Sequence, residues 1–145
     1  MTGNMTDTGK GKSDGPHLLL RATEHNWGLI GPGDWETVGW DIFSDRSYFM
    51  NIRFVSEPGF PASKSFCGKM RETAFIKLRL LLGMRWLDPK IECGGCDGSA
   101  WEFRAYRPDG RLLKSTGGAR YVYGQKNIEA MIALLPGQKH LSERF

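Results

Sequence analysis

No stretch of the 145 residues approaches the ~18 consecutive apolar residues that a membrane-spanning helix needs. Cysteine is scarce, with Cys67, Cys93 and Cys96 only. An odd number of thiols and no export signal exclude a disulfide scaffold and predict a reducing, cytoplasmic setting. Histidine occurs only at His17, His25 and His140, without ligand spacing. There is no Gly-x-Ser-x-Gly, no His-Glu-x-x-His and no Walker loop, so the familiar nucleophile, zinc-protease and phosphate-cradle motifs are all missing. No run of consecutive basic residues exceeds two, which argues against a polybasic arm.

What is present is ordinary for a globular protein: 40% hydrophobic and 25% charged residues, with a net charge of +4. A chain of this length can bury about 68–70% of its unfolded surface and needs no staple. Charge is uneven along the chain. Residues 1–60 carry −3, residues 61–92 carry +4 and residues 93–145 carry +3. Residues 1–16 are rich in Gly, Thr, Ser, Asp and Lys and read as a disordered tail. A single domain is expected over 17–136, with a loose C-terminal tail over 137–145.

The patterning predicts an α+β fold, an antiparallel sheet with two helices on one face. Leu18-Leu19-Leu20 followed by Arg21-Ala22-Thr23 opens a first strand, and the glycine-containing stretch from Trp27 to Trp35 reads as a loop. Val38 to Phe43 and Tyr48 to Val55 form a hairpin around Ser44-Asp45-Arg46-Ser47. Glu57 to Ser65, with Pro58, Gly59 and Pro61, reads as a loop. A second hairpin joins Trp101–Tyr106 to Arg111–Ser115 through Pro108-Asp109-Gly110. Tyr121-Val122-Tyr123 is a further short strand candidate.

Glu72 to Gly83 is a helix that is apolar nearly all round, with Lys77 and Arg79 as the breaks. Such a helix is either central to its fold or faces a second subunit. Ile128, Met131, Ile132 and Leu135 follow the i, i+3, i+4, i+7 spacing of an amphipathic helix, stopped by Pro136-Gly137.

The halves resemble each other. Trp40-Asp41-Ile42 and Trp101-Glu102-Phe103 each open a hairpin that leads to a helix. Gly68, Ala74, Ile76 and Leu78 align with Gly124, Ala130, Ile132 and Leu134. A duplicated β-β-α unit is one explanation, and convergent amphipathic patterning is the other. A true repeat would place a binding site on its pseudo-two-fold axis.

Three constellations carry chemistry. Cys93-Gly94-Gly95-Cys96 can supply two thiolates to one zinc ion, with Cys67 as a third ligand and a histidine or Asp97 as the fourth. The bland alternative is a glycine-rich loop with incidental thiols, in a protein without a cofactor. Trp27, Trp35, Phe49 and Arg53 are the candidates for an exposed partner-binding patch, because aromatics and arginine dominate hot spots. Alternation along the strand puts Tyr48, Met50, Ile52 and Phe54 on the core face, with Phe49, Asn51 and Arg53 opposite. Arg104, Arg107, Arg111, Lys114 and Arg120 form a candidate stripe for nucleic acid. His25 with Glu24, Asp34 and Glu36 is a nominal acid–base cluster, of the kind usually found as solvated surface.

Trp101-Glu102-Phe103, Asp109-Gly110, Tyr121-Val122-Tyr123-Gly124 and Leu134-Leu135-Pro136 together resemble a pattern in small bacterial α+β proteins without assigned function. The resemblance covers about a quarter of the chain and implies a fold type only. The expected role is therefore a small non-enzymatic interaction module, adaptor- or immunity-like, self-associating through the apolar helix or binding another protein. A zinc-stabilised domain and a weak nucleic-acid binder are the alternatives.

Overall fold

The computed structural model describes residues 15–26, 28, 30–88, 99–116 and 125–142. Six strands form one open antiparallel sheet: β1 (Leu18–Asn26), β2 (Trp35–Phe43), β3 (Ser47–Phe54), β4 (Ser63–Lys69), β5 (Ser99–Tyr106) and β6 (Leu112–Ser115). Two helices complete the fold, α1 (Glu72–Leu82) and α2 (Lys126–Leu134), followed by a 3-10 turn at Gln138–Ser142. The spatial order is β4-β3-β2-β1-β5-β6, so β1 lies between the two hairpins. Among the described residues, no helix is long and apolar enough to cross a membrane.

Period-2 alternation sorts the sheet into a buried and an open face. Leu20, Ala22, Val38, Trp40, Ile42, Met50, Ile52, Phe103 and Ala105 are almost fully enclosed. They form one cluster with Phe75, Leu78 and Leu82 of α1 and with Ile128 and Met131 of α2.

The centre of this cluster is an aromatic ladder. Trp40 and Trp101 stack at 5.6 Å, Trp101 and Phe103 stack at 5.6 Å, and Trp86 meets Phe103 edge-on at 6.3 Å. Ala22 makes this geometry available. It pairs with Trp40 on one side and Phe103 on the other, and its single methyl leaves room for rings to meet across β1. The indole nitrogen of Trp40 donates to the Pro136 carbonyl at 2.8 Å, which ties the end of α2 to the ladder.

Local chemistry sets the turns. Gly110 sits at φ +89 in the second hairpin, a region that costs a Cβ-bearing residue about 1–2 kcal/mol. Asp109 accepts from the Arg111 backbone at 3.0 Å and from its guanidinium at 2.8 Å. In the first hairpin Asp45 accepts from the Ser47 amide at 2.9 Å. Gly137 is constrained twice: its φ is +77, and a Cβ there would stand 2.9 Å from the Met50 sulfur.

One expectation needs correction. The stretch expected as a loop over Glu57–Ser65 gives way at Ser63 to strand β4. Its sequence, Ser63-Lys64-Ser65-Phe66-Cys67-Gly68-Lys69, has little intrinsic strand preference, and pairing with β3 over its whole length overrides that. Within the C-terminal stretch expected to be loose, Gln138–Ser142 form the 3-10 turn. His140 stacks on Phe66 with centroids 3.7 Å apart, and Leu141 packs against the core. Strand β4 intervenes between the first hairpin and α1. The N-terminal tail to residue 14 and the candidate strand at Tyr121–Tyr123 lie outside the described residues.

Candidate interaction surfaces

The open face of the sheet is polar and largely self-satisfied. One row crosses it in register: Cys67, Phe49, Asp41, Arg21, Arg104 and Ser115. Arg21 donates to both carboxylate oxygens of Asp41, at 2.8 and 3.2 Å. That hydrogen bond holds the Arg21 guanidinium above its ordinary pKa, against a smaller opposing effect of burial. Asn51 donates to Ser65 at 2.8 Å, and Arg53 pairs with Glu36 at 3.4 Å. Gly39 occupies the middle of this face with open space above it.

The outer flank of the helices has the opposite character. Ile76, Leu80 and Met84, spaced i, i+4, i+8, are 52%, 66% and 50% exposed. Beside them runs a groove of about 440 Å³. Its α1 wall is Lys77, Leu80, Leu81 and Met84, and its α2 wall is Ala130, Ala133 and Leu134. The two alanines keep the α2 wall low, so large side chains on one helix stand next to small ones on the other.

The structure separates the residues proposed for partner binding. Phe49, 43% exposed, and Arg53 share the open face. Trp35 packs against the hydrophobic core and lines a different cavity with Glu24 and Trp101. Trp27 lies outside the described residues.

The arginine stripe is likewise divided. Arg104 pairs in register with Arg21 on the open face, which sets two like charges opposite each other. Arg111 is held by Asp109 in the hairpin turn, and Arg107 lies at the base of that turn. Lys114 reaches α1 instead, donating to the carbonyls of Leu82 at 3.1 Å and Met84 at 2.6 Å over the ring of Trp86. It acts as a cationic C-terminal cap. Arg120 lies outside the described residues.

Of the zinc candidates, Cys67 is a free, exposed thiol on edge strand β4, while Cys93, Cys96 and Asp97 lie outside the described residues. The described residues bring no three His, Cys, Asp or Glu side chains together. The nominal cluster around His25 is dispersed. Glu24 points to the core side with Trp101, Glu36 pairs with Arg53, and Asp34 accepts from the Gly31 amide at 2.9 Å.

Sequence reasoning identified α1 as apolar all round but did not find the groove, which needs α2 beside it. The signal lay in Ala130 and Ala133, small residues on the exposed side of an amphipathic helix. Comparison with protein-family models, curated proteins and solved structures gives no match to this chain.

Proposed function

We propose that this protein is a small interaction module that self-associates through the outer flank of α1 and α2. The observation that carries the reading is the exposed Ile76-Leu80-Met84 ridge beside an apolar groove. A two-fold interface needs one patch that is complementary to itself. Here one patch holds both parts: Leu80 as the protruding side chain, and the low wall of Ala130 and Ala133 as its receiver. Helix faces docking into apolar grooves are a recurrent recognition mode, read as anchors at i, i+4 and beyond. Lys77 fits at the edge, with its stem along apolar surface and its ammonium in water.

Two finer features belong to this reading. Both helices cover the buried face of the sheet, supported by their shared cluster with Leu20, Trp40 and Phe103. The two hairpin–helix segments are related units, supported by Trp40 and Trp101 meeting in one stack.

Light scattering on the full chain across a concentration series tests the proposal. The expected result is a dimer that dissociates on dilution and a Leu80→Glu variant that stays monomeric, with the melting temperature of the diluted, dissociated wild type. A wild type that stays monomeric at high concentration overturns it. So does a co-purifying partner of different sequence that Leu80→Glu releases.

A further inference from the structure

Another cavity, of about 360 Å³, lies where the start of β1, the end of β5, β6 and the last turn of α1 converge. Its size falls within the ~300–1,000 Å³ range of small-molecule sites. The floor is apolar: Leu19, Leu82 and Ala105 are buried, and Leu113 stands at the rim. Every charged side chain in the lining is cationic, namely Arg79 and Arg107, with His17 beside them.

These cations have few competing duties. Among the described residues, neither Arg79 nor Arg107 forms an ion pair with a carboxylate. Arg79 lies over the Phe75 ring at 5.9 Å. Position in the last turn of α1 would ordinarily make Arg79 a cap for the helix carbonyls, but Lys114 already takes those of Leu82 and Met84. Asp109, the acid nearest Arg107 along the chain, is hydrogen-bonded by Arg111, and the Arg107 charge is the least of the influences on it. The backbone of Arg107 is fixed by its bond to the Arg111 carbonyl at 2.8 Å, and that of His17 by the Ser44 hydroxyl at 3.0 Å.

We infer that this cavity binds a small amphipathic anion, a carboxylate or phosphate monoester carried on an apolar body. Guanidinium groups present fixed forks of N–H donors that match both head groups. The leucine floor takes the apolar part. The site is separate from the helix groove, and the inference does not depend on self-association.

Calorimetric titration of the full chain with benzoate, phenyl phosphate and benzyl alcohol tests it. Saturable binding of at least one anion is expected, with the neutral alcohol weaker by about tenfold or more, a difference of about 1.4 kcal/mol. A preference for benzoate assigns a carboxylate head, and a preference for phenyl phosphate assigns a phosphate. Backbone amide shifts should centre on Gly83, Ala105 and Arg107. The exposed double variant Arg79→Gln/Arg107→Gln should weaken anion binding about tenfold at an unchanged melting temperature. The inference is overturned by no saturable binding of either anion in the millimolar range. Equal affinity for the alcohol, equal affinity in the double variant, or shifts centred elsewhere would overturn it too.

Discussion

The open face of the sheet and the outer flank of the helices are both exposed, yet they differ in what they leave unsatisfied. On the open face Arg21 answers Asp41, Arg53 answers Glu36 and Asn51 answers Ser65. Antiparallel sheets commonly keep one such solvated face. On the helical flank Ile76, Leu80 and Met84 are apolar and remain half or more exposed. Contiguous apolar patches of this kind mark interaction sites. Composition and packing point to different surfaces: the aromatic and arginine residues draw attention to β3, while the exposed apolar surface is aliphatic and helical.

The largest expected effect comes from the layer between these two surfaces. Trp40→Ala should cost about 3–5 kcal/mol, since it removes a fully buried ring at the end of the ladder and the bond to Pro136. Denaturant unfolding measures it, and a loss under about 1 kcal/mol would mean that the ladder does not hold the two sides together. Gly137→Ala should cost about 1–3 kcal/mol, from the positive φ and the approach to Met50. Arg21→Gln on the open face should cost no more than about 1 kcal/mol and leave association unchanged. A larger loss, or altered association, would break the contrast between the faces.

The smallest effect is acidic. Hydrogen bonds from Ser47 hold the Asp45 carboxyl below its ordinary pKa, and the Arg111 backbone N–H does the same for Asp109. Carboxyls depressed in the folded state stabilise it above the unfolded pKa of about 3.9 and lose that contribution as pH falls through the lower folded value. Asp45→Asn should therefore lower the melting temperature slightly at neutral pH and converge with wild type at strongly acidic pH. A difference that persists in acid would contradict the assignment.

Much of the fold is legible in local chemistry. The Pro108-Asp109-Gly110 turn, the helix ending at Gly83 and the alternation that buries Met50 and Ile52 while exposing Phe49 all follow from neighbours within a few residues. Long-range pairing is not legible in this way. Strand β4 exists because β3 offers it a partner, and the rings of Trp40 and Trp101 meet because Ala22 lies between their strands. The place of Lys114 is illegible for the same reason, since its bonds to Leu82 and Met84 depend on where the end of α1 arrives. The groove needed two helices, each readable alone, to be set side by side.

The central claim is that the helical flank, and not the open sheet face, is the self-recognition surface. Following backbone amide shifts of the full chain on dilution tests this most directly. The account predicts concentration-dependent shifts at Ile76, Leu80, Met84, Ala130 and Ala133, with Gly39, Asp41, Phe49 and Arg53 unmoved. Shifts confined to the sheet residues, or none at any concentration, would contradict it.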